Sequence, residues 1–563
     1  MLKGIFRTKN LDDILAALGD KTHELKRSLG PVHVTLLGIG AIIGAGIFAT
    51  VGTAAAGDTH RPGAGPSLML SFVITAIVCA FTALCYAEMA SMVPISGSAY
   101  TYSYATLGEL VAWIIGWDLI IEYAVGNVAV AISWANYFRS FLHDAFGIDV
   151  PAWLATDFRT ARKIPGLLES APHIGGIPIV FNLLAFLIVA FITIVLVWGI
   201  RESAGFNAVM VGIKIVVLLF FVGLAFYFVS PAKMVSNWQP FQPTGWGGTL
   251  AGAAVVFFAY IGFDAVSTVA EETKNPARDL PIGIIASLVI CTFFYVLVAA
   301  VFTGMMPYGE LVRRLATEQA EPLTMALNHV APQARWASAI VAFGSVVAHT
   351  AVLLVFQLGQ PRIFFSMARD GMLPPVFAKV HPKFKTPHVT TILTGVVVGL
   401  FAAVMSIDEM VDLTNIGTLF AFVLVCVGIT ILRYKDPNRH RPFKVPFGPW
   451  LLPIFGAVSC LFLMYYLPPT SWWRFVAWLA LGLSVYFAYG YSRSTIGRKL
   501  GRPFPTPLGL KITGLGFFSL AIGLFIIGFH APTTLAFVLV GVGILLIVGG
   551  VVTASSGTDA ENA

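Results

Sequence analysis

About fourteen stretches of roughly twenty apolar residues follow one another along the chain, approximately at 33–56, 66–88, 107–137, 178–199, 204–229, 248–270, 282–304, 334–367, 388–406, 411–433, 450–467, 472–491, 513–530 and 532–553. A helix of ~20 predominantly apolar residues is what the hydrocarbon core of a bilayer requires, because each backbone N–H and C=O must be satisfied within its own segment. The pattern predicts an all-α integral membrane protein with about 14 transmembrane helices. The third and eighth runs are long enough to tilt strongly or to project beyond the bilayer. Only 11% of residues are charged and 57% are hydrophobic, against about a quarter charged in a soluble domain. A soluble multi-domain enzyme is excluded. The net charge of +7 comes with no dense basic patch, so nucleic acid is not an expected partner.

The basic residues set an orientation. With an even number of spans, 24 of the 35 Lys and Arg fall on the side of the N-terminus and 10 on the other. By the excess of Lys and Arg in cytoplasmic loops, both termini are expected in the cytoplasm, and the protein in the cell inner (plasma) membrane. The stretch MLKGIFRTKNLDDILAALGD at the N-terminus shows no cleavable signal pattern; Leu11, Ile14, Leu15 and Leu18, with Asn10 as N-cap, predict a cytoplasmic amphipathic helix. The five cysteines all lie in apolar runs without metal-ligand spacing, so they read as packing residues, and no metal or cofactor is expected. The long loops 138–177 and 305–333 mix charge and proline and are expected to carry short surface helices. Residues 554–563 read as a polar tail.

Two spans break the rules for a lipid-facing helix. The first contains the run GIGAIIGAGIF, with Gly38, Gly40, Gly44 and Gly46; the sixth contains FFAYIGFDAVS, with Gly262 beside Asp264. Glycine inside a helix costs ~1 kcal/mol relative to alanine, and a carboxylate at mid-membrane on the order of 3 kcal/mol or more. Close helix packing accounts for Gly40 and Gly44 taken alone. Together, however, the two features open the two five-span halves 33–229 and 248–433, the placement expected for discontinuous helices of an inverted repeat. Unwound backbone there offers N–H groups to an anion and carbonyl oxygens to a cation, and a free amino acid carries both charges on one carbon.

GIGAIIGAGIF, GWDLIIEYAVG, EETKNPARDLP and RIFFSMARDGMLP, in that order, resemble the amino acid–polyamine–organocation superfamily and, within it, the cationic amino acid transporter family with its bacterial members. The resemblance covers about residues 10–491. It implies a LeuT-type 5+5 inverted repeat with alternating access and uptake coupled to protons or to exchange. On that basis the chain divides into a cytoplasmic segment 1–30, a transport core 31–435, helices 11–12 at 436–491, and helices 13–14 with the tail at 492–563. The extra pair matches the longer arrangement of the family. Carried over by residue, the substrate carboxylate falls on the N–H groups of Ala45 and Gly46. The amino group falls on the carbonyls of Ile42, Ile43, Phe258, Ala259 and Ile261. Many relatives have Thr or Ser where this chain has Ala45, so binding there rests on backbone. Thr350 aligns with a side-chain pocket position and is compatible with cationic or small neutral substrates.

Lys214 lies ten residues past Ala204, ~15 Å along the fifth span, too deep to snorkel to the interface. Proton-coupled relatives place a Lys there, and by that resemblance Lys214 is the proton carrier, its ammonium bridging the first and eighth spans. Glu122 in the third span is a second coupling candidate or a structural carboxyl. Asp264 is either a cap for unwound N–H groups or a gate or pocket charge. Asp118 reads equally as a packing partner. His349 reads first as a hydrogen-bonded packed histidine, with a proton relay as the alternative. Glu271, Glu272, Lys274, Asn275 and Arg278 form an expected ionic latch, with Arg362, Arg369 and Asp370 on the same face.

These readings predict a transporter and not an enzyme. It would take up L-amino acids, cationic and/or small neutral, by proton symport; an exchanger and a transporter-like nutrient sensor are the alternatives. No G-x-S-x-G or H-E-x-x-H motif supports membrane catalysis. Expected partners are the amino acid, protons and membrane lipid. The face around the fifth and last spans offers a place for a small accessory subunit.

Overall fold

The apolar runs fold as helices. The structure, a computed structural model, describes residues 4–9, 28–93, 98–199, 204–315, 321–502, 504, 506–529 and 533–560. The predicted amphipathic helix at 11–18 lies outside them. Among the described residues, 11 helices are long and apolar enough to cross a membrane. The other three predicted spans, the fourth, ninth and eleventh, coincide with shorter apolar helices at Leu183–Trp198, His388–Val404 and Leu451–Tyr465. The third and eighth spans are indeed long, running Glu109–Phe146 and Arg335–Arg369. The fourth run begins late because Asn182 caps the helix, its side chain accepting from the Ala185 N–H, while His173–Ile174 and Ile177–Pro178 pair as a small hairpin. The long loops carry short helices, Phe158–Ala161 and Leu167–Ser170 in one, Tyr308–Leu315 and Pro322–Val330 in the other.

The last two helices, Leu508–Gly528 and Thr534–Ala560, form a hairpin held by small residues. A Cβ on Gly516 would stand 2.7 Å from the Gly543 carbonyl oxygen, and one on Gly523 2.7 Å from that of Ala536. Lipid tails are as apolar as leucine, so close backbone contact is what drives such pairs together. The hairpin packs on the twelfth span, where Gly514 meets the Ser484 carbonyl and Gly528 meets Arg474.

Charged side chains gather at the two ends of the bundle. At the end carrying the N-terminus, Glu88 pairs with Arg433 and accepts from the Val445 N–H at 2.7 Å. Fully buried Glu109 accepts from Arg502 at 2.6 Å, the Tyr486 hydroxyl at 2.8 Å and Ser494 Oγ at 3.0 Å. Asp370 accepts from Lys9 Nζ at 2.5 Å and the Tyr100 hydroxyl at 2.7 Å, while Arg362 and Arg369 are exposed. The 271–278 loop is joined to the chain ahead of the first span through backbone, Lys274 N–H donating to the Leu29 carbonyl at 2.9 Å. At the opposite end Arg61 donates to Asp58 and Asp412, and Glu409 pairs with both Arg159 and Arg474.

Removing one partner of a buried pair leaves a charge without compensation, at about 3–5 kcal/mol. Glu109→Ala is therefore expected to lower the thermal midpoint of the detergent-solubilised protein sharply. Arg502→Ala should cost a similar amount, and the double variant clearly less than the sum. Additive losses would mean that the pair does not act as a unit.

Candidate functional site

The helix of the first span, Pro31–Ile42, stops because Ile43 turns to an extended conformation (φ −74°, ψ 104°); helix resumes at Ala45 and passes through a wide turn at Gly46–Thr50. The sixth span is helical over Gly245–Val256, tightens over Phe257–Tyr260 and opens at Ile261 (ψ 133°). Gly262 follows at φ +122°, a conformation that L side chains rarely adopt. The two breaks touch each other. A Cβ on Gly46 would lie 2.1 Å from Ala259 Cα, and one on Gly262 2.9 Å from the Ala41 carbonyl carbon. Glycine is required at both positions because backbone meets backbone.

Breaking two helices at mid-span orphans backbone groups that lipid cannot satisfy. Lys214, fully buried, donates from Nζ to the Gly40 carbonyl at 2.5 Å and the Ile43 carbonyl at 2.8 Å. Tyr295, in the seventh span Pro276–Gly304, places its hydroxyl 2.8 Å from both the Ile42 and the Ala259 carbonyls and so joins the two breaks. Between them these side chains hold three of the carbonyls expected to face an amino group: Ile42, Ile43 and Ala259. Asn415 of the tenth span donates to the Ala254 and Val255 carbonyls at 2.9 and 3.2 Å, covering the end of the first sixth-span helix. The N–H groups of Ala45 and Gly46 stand at the start of a half-helix, where no carbonyl of the same helix can accept them and the dipole favours an anion.

Asp264 Oδ1 accepts from the Gly262 N–H at 3.2 Å, so it caps the unwound segment. Buried Glu122, in a wide turn of the third span at Ile121–Val125, lies near enough to interact with Asp264 electrostatically. Glu122 Oε2 and Asp264 Oδ2 are buried and have no hydrogen-bond partner among the described residues. The structure thus brings Glu122 and Asp264 together at the sixth-span break, and Lys214 to the first-span break. Asp118 is buried against the tenth span, where a Cβ on Gly417 would lie 2.9 Å from its Oδ1.

His349 is saturated. Its Nδ1 is 2.6 Å from the Ser345 carbonyl and its Nε2 2.7 Å from Ser133 Oγ. A carbonyl can only accept, so Nδ1 carries the proton, Nε2 accepts from the serine, and the ring is satisfied as a neutral imidazole. Thr350 is not brought to the breaks. Its hydroxyl donates to the Val346 carbonyl at 2.8 Å and accepts from Trp134 Nε1 at 2.9 Å. Two residues along a helix lie ~200° apart, so Thr350 and Val352 point in nearly opposite directions. Val352 is the one on the break: a Cβ on Gly44 would stand 2.6 Å from its Cγ2. Sequence reasoning missed Val352 and Tyr295. An apolar residue in an apolar span sends no signal, whereas a tyrosine at mid-span does, since its buried hydroxyl must find a partner.

Comparison of the sequence with known proteins identifies the family. A family model described as amino acid permease matches residues 29–472. The branched-chain amino acid permease BcaP of Bacillus subtilis (strain 168) is 46% identical over 499 residues, 88% of this chain and 100% of that protein. The methylthioribose transporter of the same bacterium is 42% identical over 497 residues, again 88% and 100%. The vacuolar cationic amino acid transporter 4 of Arabidopsis thaliana is 37% identical over 440 residues, 78% of this chain and 68% of that protein. A multi-pass bundle of apolar helices, two spans broken back to back and these relatives lead to one conclusion: the chain belongs to the amino acid permease family of the amino acid–polyamine–organocation superfamily.

Proposed function

We propose that this permease takes up L-amino acids by proton symport with alternating access, within a LeuT-type 5+5 core over 31–435 that helices 11–14 flank. The observation that carries the reading is the Lys214 ammonium hydrogen-bonded to two carbonyls of the first-span break. An ammonium there holds the unwound segment by charge-assisted hydrogen bonds. Losing its proton removes the charge and weakens that hold, which ties the position of the first span to a proton. The substrate carboxylate sits on the Ala45 and Gly46 N–H groups, and Phe258 and Ile261 supply carbonyls for its amino group.

The acidic pair is the second proton-holding element. Two carboxylates buried close together repel each other, so a proton shared between Glu122 and Asp264 would sit next to the sixth-span break. The charge bias of 24 to 10 supports a cytoplasmic side for the end that carries Lys9 and Glu109, and the membrane of this reading is the plasma membrane.

The side-chain pocket favours neutral aliphatic substrates, because the eighth-span residue against the first break is Val352 and Phe258 is buried at the second. The full-length similarity to a branched-chain amino acid permease points the same way. A cationic substrate is the second reading, favoured by the carboxyl pair beside the site.

Three measurements in proteoliposomes follow. Radiolabelled uptake driven by an inward proton gradient is expected to vanish in Lys214→Ala while the protein stays monodisperse; unchanged pH-dependent uptake would sink the coupling role. In competition, leucine, isoleucine and valine should displace label at concentrations at least about tenfold below those of arginine and lysine. The reverse order selects the cationic reading, and Glu122→Gln should then weaken arginine alone. Tyr295→Phe removes the one hydroxyl proton that the Ile42 and Ala259 carbonyls share, at about 1–3 kcal/mol, and should lower both the melting temperature and the uptake rate. Wild-type values for both would remove Tyr295 from the account.

A further inference from the structure

We propose that the seventh span, at the end of the bundle carrying the N-terminus, binds one anionic phospholipid. Its headgroup would lie on Lys274, Arg278 and Lys444, and an acyl chain in the groove below. The groove has a volume of about 700 Å³ and is lined by Arg278, Ile282, Ile285, Ala286 and Val289 of the seventh span together with Phe443 from the loop after the tenth. Apart from Arg278 the side chains named are apolar, and Arg278 stands one to three turns ahead of them on the same face, near the start of the helix at Pro276. A charged group at the interface with an apolar trough running toward mid-membrane has the shape of a lipid and not of a soluble metabolite.

The charge complement supports an anionic headgroup. Lys274, Arg278 and Lys444 are exposed, and none forms an ion pair with another described residue. Neighbouring Arg433 and Arg441 are instead engaged with Glu88. Among the nearby acidic residues whose side chains are described, none pairs with the three. Asp279 is buried and accepts from the Asn275 N–H, Asp436 pairs with Arg439, and Glu272 is half-buried. Basic side chains at a membrane surface attract anionic lipid additively.

The groove also backs onto the moving part of the proposed mechanism. On the opposite face of the same helix, a Cβ on Gly283 would stand 2.4 Å from Val34 Cγ1, and one on Gly38 2.6 Å from Ser287 Oγ. The first half of the first span therefore rests on the helix whose other side holds the lipid, and occupancy of the groove would stiffen that support. Only this last consequence rests on the transport reading; binding does not.

Native mass spectrometry of the full-length protein, titrated with phosphatidylglycerol or phosphatidylcholine, tests it. The wild type should retain one phosphatidylglycerol in preference to phosphatidylcholine. The triple variant Lys274→Gln/Arg278→Gln/Lys444→Gln should bind phosphatidylglycerol on the order of a hundredfold more weakly, with phosphatidylcholine unchanged. Ala286→Trp, which fills the groove and keeps the charges, should weaken phosphatidylglycerol as well. Wild-type affinity in either variant, or equal loss of both lipids in the triple variant, overturns the proposal. These readouts stand whether or not the protein moves amino acids.

Discussion

Backbone polarity inside a membrane is the constraint on which the rest of this molecule depends. A helix satisfies its own N–H and C=O groups; a broken helix does not, and each orphan in hydrocarbon costs several kcal/mol. This chain breaks two helices and sets the breaks against each other, with Gly46 on Ala259 and Gly262 on Ala41. Everything around them answers the resulting deficit. Lys214 and Tyr295 donate to carbonyls of the breaks, Asn415 covers the end of the preceding helix, and Asp264 accepts from the Gly262 N–H. The N–H groups at Ala45 and Gly46 stand where a carboxylate could complete the set.

That arrangement explains why ionisable groups tolerate burial here. Lys214 donates to carbonyls of the first-span break, and Asp264 accepts from an N–H of the sixth-span break. Each therefore has a structural duty as well as a proposed functional one. The same economy is seen at the ends of the bundle, where Glu88, Glu109 and Asp370 fasten spans far apart in sequence. The last two helices are instead joined largely by glycine contacts, with Ser519 Oγ donating to the Leu539 carbonyl at 2.8 Å.

Much of this was legible in the sequence, for physical reasons. Twenty-residue apolar runs have one use in a membrane, so the helices could be placed. Clustered glycines with a lone Asp marked the breaks, and the depth of Lys214 excluded an interfacial role. What could not be read was which partner meets which. Tyr295 lies 253 residues from Ile42, and Arg502 lies 393 from Glu109; no periodicity links such positions. Thr350 was assigned by resemblance, and the helical phase turns it toward Trp134 while Val352 takes the place against the break. Of the expected bridge from Lys214 between the first and eighth spans, the first-span side is made through the Gly40 and Ile43 carbonyls.

The account turns on the claim that Lys214 and Tyr295 hold the broken first span in place. Hydrogen–deuterium exchange of the full-length protein, followed by mass spectrometry on peptides spanning residues 38–48, measures that hold directly. Lys214→Ala and Tyr295→Phe are each predicted to speed exchange in this segment while peptides from the third and tenth spans keep wild-type protection. Unaltered exchange across 38–48 in both variants would contradict the claim.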